Sequence, residues 1–199
     1  MTSSLSPKPG TTVSRLSTLE QETYYSSPWT LAMRVRMAVW EVAWLVLCRW
    51  TPKPLRPWRT AVLRLFGANT KGIVFVASSA RIKMPWNLTM AARSCIGADA
   101  QIYNLAPVTL GERATVAQEV YLCGGTHKFD DPALPLVVGP IHIGADAFLG
   151  ARAFIHPGVS IGAGAIVGAC SVVIRDVAPW TVSAGNPSTF IMQRKRVSQ

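Results

Sequence analysis

The stretch IHIGADAFLGARAFIHPGVSIGAGAIVGACSVV, residues 141–173, decides the fold. Its branched aliphatics Ile143, Leu149, Ile155, Ile161, Val167 and Val173 stand six residues apart without a slip. Two places before each of the last five stands a small or apolar residue: Ala147, Ala153, Val159, Ala165 and Ser171. Glycine follows the anchor at Gly144, Gly150, Gly162 and Gly168. Side chains alternate along a strand, so an anchor and the residue two before it face the same way. A small residue after the anchor permits a tight corner. Six residues therefore make one short strand and one turn, and repetition coils the chain into a solenoid with an aliphatic interior. A run of ordinary glycine-rich strands would not hold six anchors in register.

The template extends upstream in pieces. Val76, Ile82 and Leu88 are six apart, as are Ile96 and Ile102, and then Leu110, Val116 and Leu122. Two steps are eight instead of six, and such even insertions keep strand parity, so apolar side chains stay on one face. Lys128–Pro140 (KFDDPALPLVVGP) breaks the repeat and reads as a loop excursion from the coil. Insertions in solenoids tend to lie on the functional face.

Before residue 72 the pattern is different. Residues 1–26 are rich in Ser, Thr and Pro, lack apolar periodicity and read as a mobile tail. Residues 27–71 read as a helical segment. Ser27-Pro28 fits an N-cap and first-turn proline, and Trp29, Met33, Met37, Trp40, Trp44 and Leu47 draw one apolar stripe at helical spacing. Pro52 and Pro54 end this helix, and a second, roughly Trp58–Phe66, is stopped by Gly67. The solenoid then occupies 72–178, with the excursion at 128–140, and 179–199 read as a C-terminal turn and basic tail.

The whole chain has 199 residues, 49% hydrophobic and 15% charged, which excludes global disorder and a multi-domain machine. Its net charge is +10, from 20 Lys and Arg against 10 Asp and Glu. Residues 1–71 hold 10 basic and 3 acidic residues, so most of the excess lies at the N-terminal end. A basic surface attracts nucleic acid, anionic lipid or a phosphorylated cofactor. No recognition motif supports nucleic acid. Cys48, Cys95, Cys123 and Cys170 form no C-x-x-C pair, so free thiols are expected rather than a disulfide framework or a zinc site. The most apolar stretch, Met37–Cys48, is interrupted by Glu41 and too short to span a bilayer.

The hexapeptides, together with PWRTAVLRLFGA (57–68), MPWNL (84–88), IYNLAPVTLG (102–111), YLCGGTHKFD (121–130), PIHIG (140–144) and AGNPS (184–188), resemble the hexapeptide-repeat acyltransferases. The resemblance covers about residues 28–192 and is sharpest toward the colanic acid biosynthesis acetyltransferases, relatives of nodulation and galactoside O-acetyltransferases. It implies a mainly β fold, a left-handed parallel β-helix with an N-terminal helical extension. It also implies acetyl-CoA as donor, no metal, and a homotrimer with sites between neighbouring subunits.

Acetyl transfer from a thioester to a hydroxyl needs a base, an oxyanion stabiliser and alignment. Histidine titrates near working pH and suits the first task. His127, within G-G-T-H just before the excursion, matches the family's catalytic histidine and is the expected general base. His142 precedes an anchor, so parity points it outward, and His156 follows one; neither has metal-ligand spacing. Cys123 lies four residues before His127, which leaves a Cys–His acyl-enzyme as an alternative to a small turn residue. Glycines at Gly124–Gly125 or Gly150 would let a thioester approach backbone N–H groups.

By position, the resemblance assigns coenzyme A contacts to Phe148, Gly150, Ala151, Ala169, Ile174 and Arg175. Asn104, in the coil before His127, and Asp130, in the excursion, are the expected acceptor contacts, with an Asx turn as the other role for Asp130; Trp86-Asn87 lines the acceptor side or packs the coil corner. Where relatives carry basic residues after the G-N-P turn, this chain has Thr189 and Met192, and Arg194, Lys195 and Arg196 follow later. The expected acceptor is a sugar hydroxyl, in polysaccharide or glycoconjugate biosynthesis. A non-sugar hydroxyl, an amine, or a non-catalytic scaffold are the alternatives. Expected localisation is cytoplasmic. Residues 28–71 interleave eight basic residues with five tryptophans, which fits peripheral contact with the inner membrane face or packing on the solenoid.

Overall fold

The computed structural model describes residues 15–19 and 27–195. The six-residue period closes into a three-sided prism whose faces are parallel sheets. Face I stacks Asn69–Thr70, Leu88–Met90, Val108–Leu110, Ile141–Ile143 and Ser160–Ile161. Face II stacks Phe75–Val76, Cys95–Ile96, Thr115–Val116, Phe148–Leu149, Ile166–Val167 and Thr181–Gly185. Face III stacks Arg81–Ile82, Gln101–Tyr103, Tyr121–Cys123, Phe154–Ile155 and Val172–Val173. Each anchor registers on the anchor one coil away, as Leu122 does on Ile102 and Ile155. Ile143, Leu149, Ile155, Ile161 and Val167 are 0% exposed. Burying such side chains stabilises the coil by about 1.5–3 kcal/mol each.

The corners work differently from the sequence reading. The left-handed residue is not the glycine after the anchor; it stands three places before the next anchor. Asp146, Arg152 and Cys170 have φ of 58°, 62° and 57°, with Gly158 and Gly164 in the equivalent places. The post-anchor glycine meets a stacking constraint instead. A Cβ at Gly144 would lie 2.5 Å from the Ala163 nitrogen, in the coil stacked on it.

The face I anchor of the first coil is Met90 rather than Leu88, since Met90 registers on Leu110, so both long steps fall at the corner from face III to face I. Parity is kept there: Leu88 is 1% and Met90 0% exposed, so both point inward. In the first enlarged corner Pro85–Asn87 makes one 3-10 turn. In the second, Asn104 to Pro107 bridges the faces. The third enlargement is the excursion, and it is not a plain loop. Gly125–His127 pairs antiparallel with Leu136–Val138, forming a hairpin arm. Three successive coils thus bulge on one edge of the prism.

The N-terminal segment caps and flanks the solenoid. Helix α1 runs Leu31–Leu47, and its N-cap is Thr30, whose hydroxyl accepts from the Met33 N–H at 3.3 Å. Ser27 instead accepts from the Trp29 N–H, ahead of the helix. Met37, Trp40 and Trp44 are buried, whereas Leu47 of the expected stripe is 37% exposed. The Trp40 indole donates to the Ile82 carbonyl at 2.6 Å and that of Trp44 to Ala80 at 3.0 Å, so the helix lies along face III.

Helix α2, Arg56–Leu65, closes the open end of the prism with Val62 and Leu63. Arg59, one of the basic residues ascribed to the surface, is 3% exposed. Its guanidinium donates to the Val76 and Pro52 carbonyls and to Thr51, satisfying a helix-to-coil junction.

Two terminal readings are corrected. Within the tail, residues 15–19 are described, and Ser17–Thr18 pairs antiparallel with Val137–Val138 on the arm; the remainder of 1–26 lies outside the described residues. Residues 181–193 form a hairpin, Thr181–Gly185 against Ser188–Gln193, that terminates face II. An unprotected last coil would leave ladder groups unpaired, and the hairpin supplies the partners. All four cysteines are unpaired. No described helix is long and apolar enough to cross a membrane.

Candidate active site

The enlarged edge gathers His127 and the three residues assigned to the acceptor, Asn104, Asp130 and Trp86. His127 ends the first strand of the arm and is exposed. Its Nδ1 lies 2.6 Å from the Leu134 carbonyl oxygen across the arm's tip. A carbonyl only accepts, so Nδ1 carries the proton and Nε2 presents a lone pair. The tip is shaped by its own backbone: Lys128 N–H donates to Pro135 at 3.0 Å and Leu134 N–H to Asp131 at 2.9 Å. Leu134 adopts φ of 44°, which turns its carbonyl back toward the histidine.

The arm's root is fixed by the coil beneath. Gly124 N–H donates to Tyr103 O at 2.8 Å, and Gly139 N–H returns to Gly124 O at 3.1 Å. Side chains cannot be added here: a Cβ on Gly124 would lie 2.5 Å from the Tyr103 oxygen. Close coil contact, not donor approach, accounts for this glycine.

Asn104 was expected to touch the acceptor, and the structure assigns it another task. It is 0% exposed. Its Oδ1 accepts from the Met84 N–H at 2.9 Å and its Nδ2 donates to the Met84 carbonyl at 2.6 Å. Asn87 completes the lock by donating to the carbonyls of Asn104 and Leu105. These two amides replace ladder bonds lost where the corners bulge. Trp86 is half-buried, with the Arg36 guanidinium 3.9 Å over its ring. That contact ties α1 to the corner. Asp130 is exposed on the tip, and the Asx turn belongs to its neighbour: Asp131 accepts from the Ala133 N–H at 3.0 Å.

Cys123 is disfavoured as a nucleophile. Its thiol donates to the Gly125 carbonyl at 3.0 Å, and burial pushes its pKa up. His142 is exposed on face I, as parity requires. His156 packs edge-on to Phe154 at 5.6 Å, and burial lowers its pKa.

The residues assigned to coenzyme A do not meet at one place in the chain. Gly150, Ala151 and Ala169 lie on the edge between faces II and III, with Phe148 exposed on face II beside it. Ile174 and Arg175 follow Val173 at the face III to face I edge, two coils along from the arm. The first group is a cluster of small residues at the far side of face III from His127. Gly150 is also required by stacking, since its Cβ would lie 2.5 Å from the Ala169 nitrogen. Arg194 is not a free cation of a basic tail: it donates to the Gly164 and Asp146 carbonyls and closes a coil corner. Lys195 is exposed, and Arg196 lies outside the described residues.

Sequence reasoning missed the outer surface of face III. Tyr121 stacks on Phe154 with centroids 5.1 Å apart, and Tyr103 lies 6.3 Å from Tyr121. Between this ladder and α1 runs a cavity of about 550 Å³, bordered by Trp44, Arg49, Arg81, Lys83, Tyr103 and Tyr121. The signal was present as aromatics one place beside anchors in successive face III strands. Among the described residues no three His, Cys, Asp or Glu side chains converge as a metal site would need.

Residues 140–175 match the family model for bacterial transferase hexapeptide (six repeats). Over 160 residues the chain is 34% identical to the "Putative colanic acid biosynthesis acetyltransferase WcaF" of Escherichia coli, covering 80% of this chain and 88% of that protein. A maltose O-acetyltransferase from Clostridium difficile superposes with a TM-score of 0.76 at 21% identity, over 84% of this chain and 90% of that one. A hexapeptide-repeat acetyltransferase of Vibrio cholerae, solved with acetyl coenzyme A, superposes with a TM-score of 0.72 at 22% identity, over 86% and 94% of the two chains.

Proposed function

This chain belongs to the bacterial hexapeptide-repeat acetyltransferases, beside the colanic acid biosynthesis enzyme, and we propose that it moves an acetyl group from acetyl-CoA directly to a sugar hydroxyl, with His127 as general base. The fold is that family's left-handed parallel β-helix. The observation that carries the reading is the bond between His127 Nδ1 and the Leu134 carbonyl, which leaves Nε2 as the acceptor.

In this mechanism Nε2 takes the proton of the acceptor hydroxyl as its oxygen attacks the thioester carbonyl. The tetrahedral intermediate collapses with cleavage of the C–S bond. The departing thiolate recovers the proton from the imidazolium, whose Nδ1–H stays bonded to Leu134 throughout. The thiol of Cys123, with its pKa raised by burial, plays no covalent part.

The acyl donor would lie along the edge of Gly150, Ala151 and Ala169, with Phe148 flanking its arm, and Ile174 and Arg175, on the other edge of face III, would reach its phosphate end from a neighbouring prism. The Gly150 edge and His127 lie at opposite sides of face III, which supports a homotrimer whose sites form between neighbouring prisms. Asp130, exposed at the arm tip, remains the acceptor contact; Trp86 acts by holding α1 against the corner.

The test is release of coenzyme A thiol from acetyl-CoA with a panel of sugars and nucleotide sugars. Sugar-dependent release giving an alkali-labile ester supports O-acetylation. An alkali-stable product identifies an amine acceptor, and donor binding without release for any hydroxyl or amine supports a scaffold.

A further inference from the structure

Helix α1 carries two apolar faces. One packs on the solenoid through Met37, Trp40 and Trp44. Leu31, Val35, Val39, Val42 and Val46 form the other, and each is between 53% and 73% exposed. Their spacing of three and four draws one stripe opposite the buried one. No charge interrupts it. Arg36 turns to the Trp86 ring, and Glu41 pairs with Lys83.

The rim of the stripe is basic and aromatic. Arg34 stands at its edge near the N-terminal end. At the other end stand Lys53 and the indoles of Trp50 and Trp58, which are 71% and 47% exposed, while Arg49 turns to Asp99 on the solenoid at 3.9 Å. A charge-free stripe of valines in water marks an interaction surface.

We propose that this face of α1 docks flat on an anionic lipid bilayer. The valine stripe would enter the acyl boundary, Trp50 and Trp58 would sit at headgroup depth, and Arg34 and Lys53 would meet the lipid phosphates. At 17 residues the helix is about 26 Å long, short of the roughly 30 Å hydrocarbon core, so it lies along the surface. Charge argues against a second copy as the occupant. Arg34 and Lys53 border the stripe and the one acid of residues 28–71, Glu41, is turned to Lys83, so a self-contact would bring bases together with no acid to meet them. The inference does not rest on the acyl-transfer reading.

Vesicle flotation tests it, using the full chain with phosphatidylcholine vesicles with and without phosphatidylglycerol. The protein should float with the anionic vesicles at low salt and much less with the neutral ones. Val42→Glu replaces an exposed side chain and should fold, keep thiol release with a soluble acceptor, and float about tenfold less. Arg34→Gln and Lys53→Gln should each weaken binding about fivefold. A wild-type chain that stays at the bottom of the gradient overturns the proposal. So does a Val42→Glu protein that floats like wild type, or one whose assembly mass falls in light scattering, since a second copy would then be the occupant.

Discussion

His127 Nδ1 and the main-chain oxygen of Leu134 lie 2.6 Å apart, bridging the two sides of the arm's tip. The partner is a backbone atom, so the tautomer is set by the shape of the tip rather than by a second ionisable group. A neutral imidazole held this way keeps one nitrogen protonated and aims the other. Leu134→Pro should break the arrangement, because proline cannot take the φ of 44° found there. The expected result is a fall in kcat of about ten- to a hundredfold with little change in KM for acetyl-CoA, read by steady-state kinetics.

Asn104 acts as a structural clamp. Asn104→Ala would leave the Met84 N–H and carbonyl without partners in a buried corner. Two such groups should cost about 2–4 kcal/mol, seen as a lower urea midpoint with an unchanged slope. Asn104→Asp should also destabilise, because an ionised carboxylate cannot donate to the Met84 carbonyl.

Gly150 sits where no side chain fits. Gly150→Ala would place a methyl carbon 2.5 Å from the Ala169 nitrogen, in backbone that cannot swing aside. Spreading two coils should cost about 1–3 kcal/mol, measured by thermal unfolding.

His156 should make the coil acid-sensitive. Burial lowers its pKa, so below the ordinary histidine value the unfolded chain binds the proton more readily. Stability from this residue is therefore full above about pH 6.5 and is lost as pH falls toward the lower folded value. His156→Gln should show a smaller drop in Tm between neutral and mildly acidic buffer than wild type does.

Much of this molecule was legible in its sequence, because period six leaves few alternatives. The anchors from Ile143 to Val167 are the core, and the even insertions kept parity as expected. What stayed hidden depended on neighbours far along the chain. Asn104 looked like a free amide, yet its partner Met84 stands twenty residues earlier, one coil below. The excursion's hairpin was masked because Leu136–Val138 pairs with glycine-rich Gly125–His127, which carries no strand pattern. Helix α1 was read by its tryptophans, and the valines between them were invisible as a second face because they share the same helical spacing.

The most direct measurement is single-turnover, sugar-dependent thiol release by wild type and His127→Ala, with circular dichroism as the folding control. The account predicts a loss of at least ~100-fold in the variant with the fold and acetyl-CoA binding intact. Equal rates in the two proteins would contradict it and remove His127 from the chemistry.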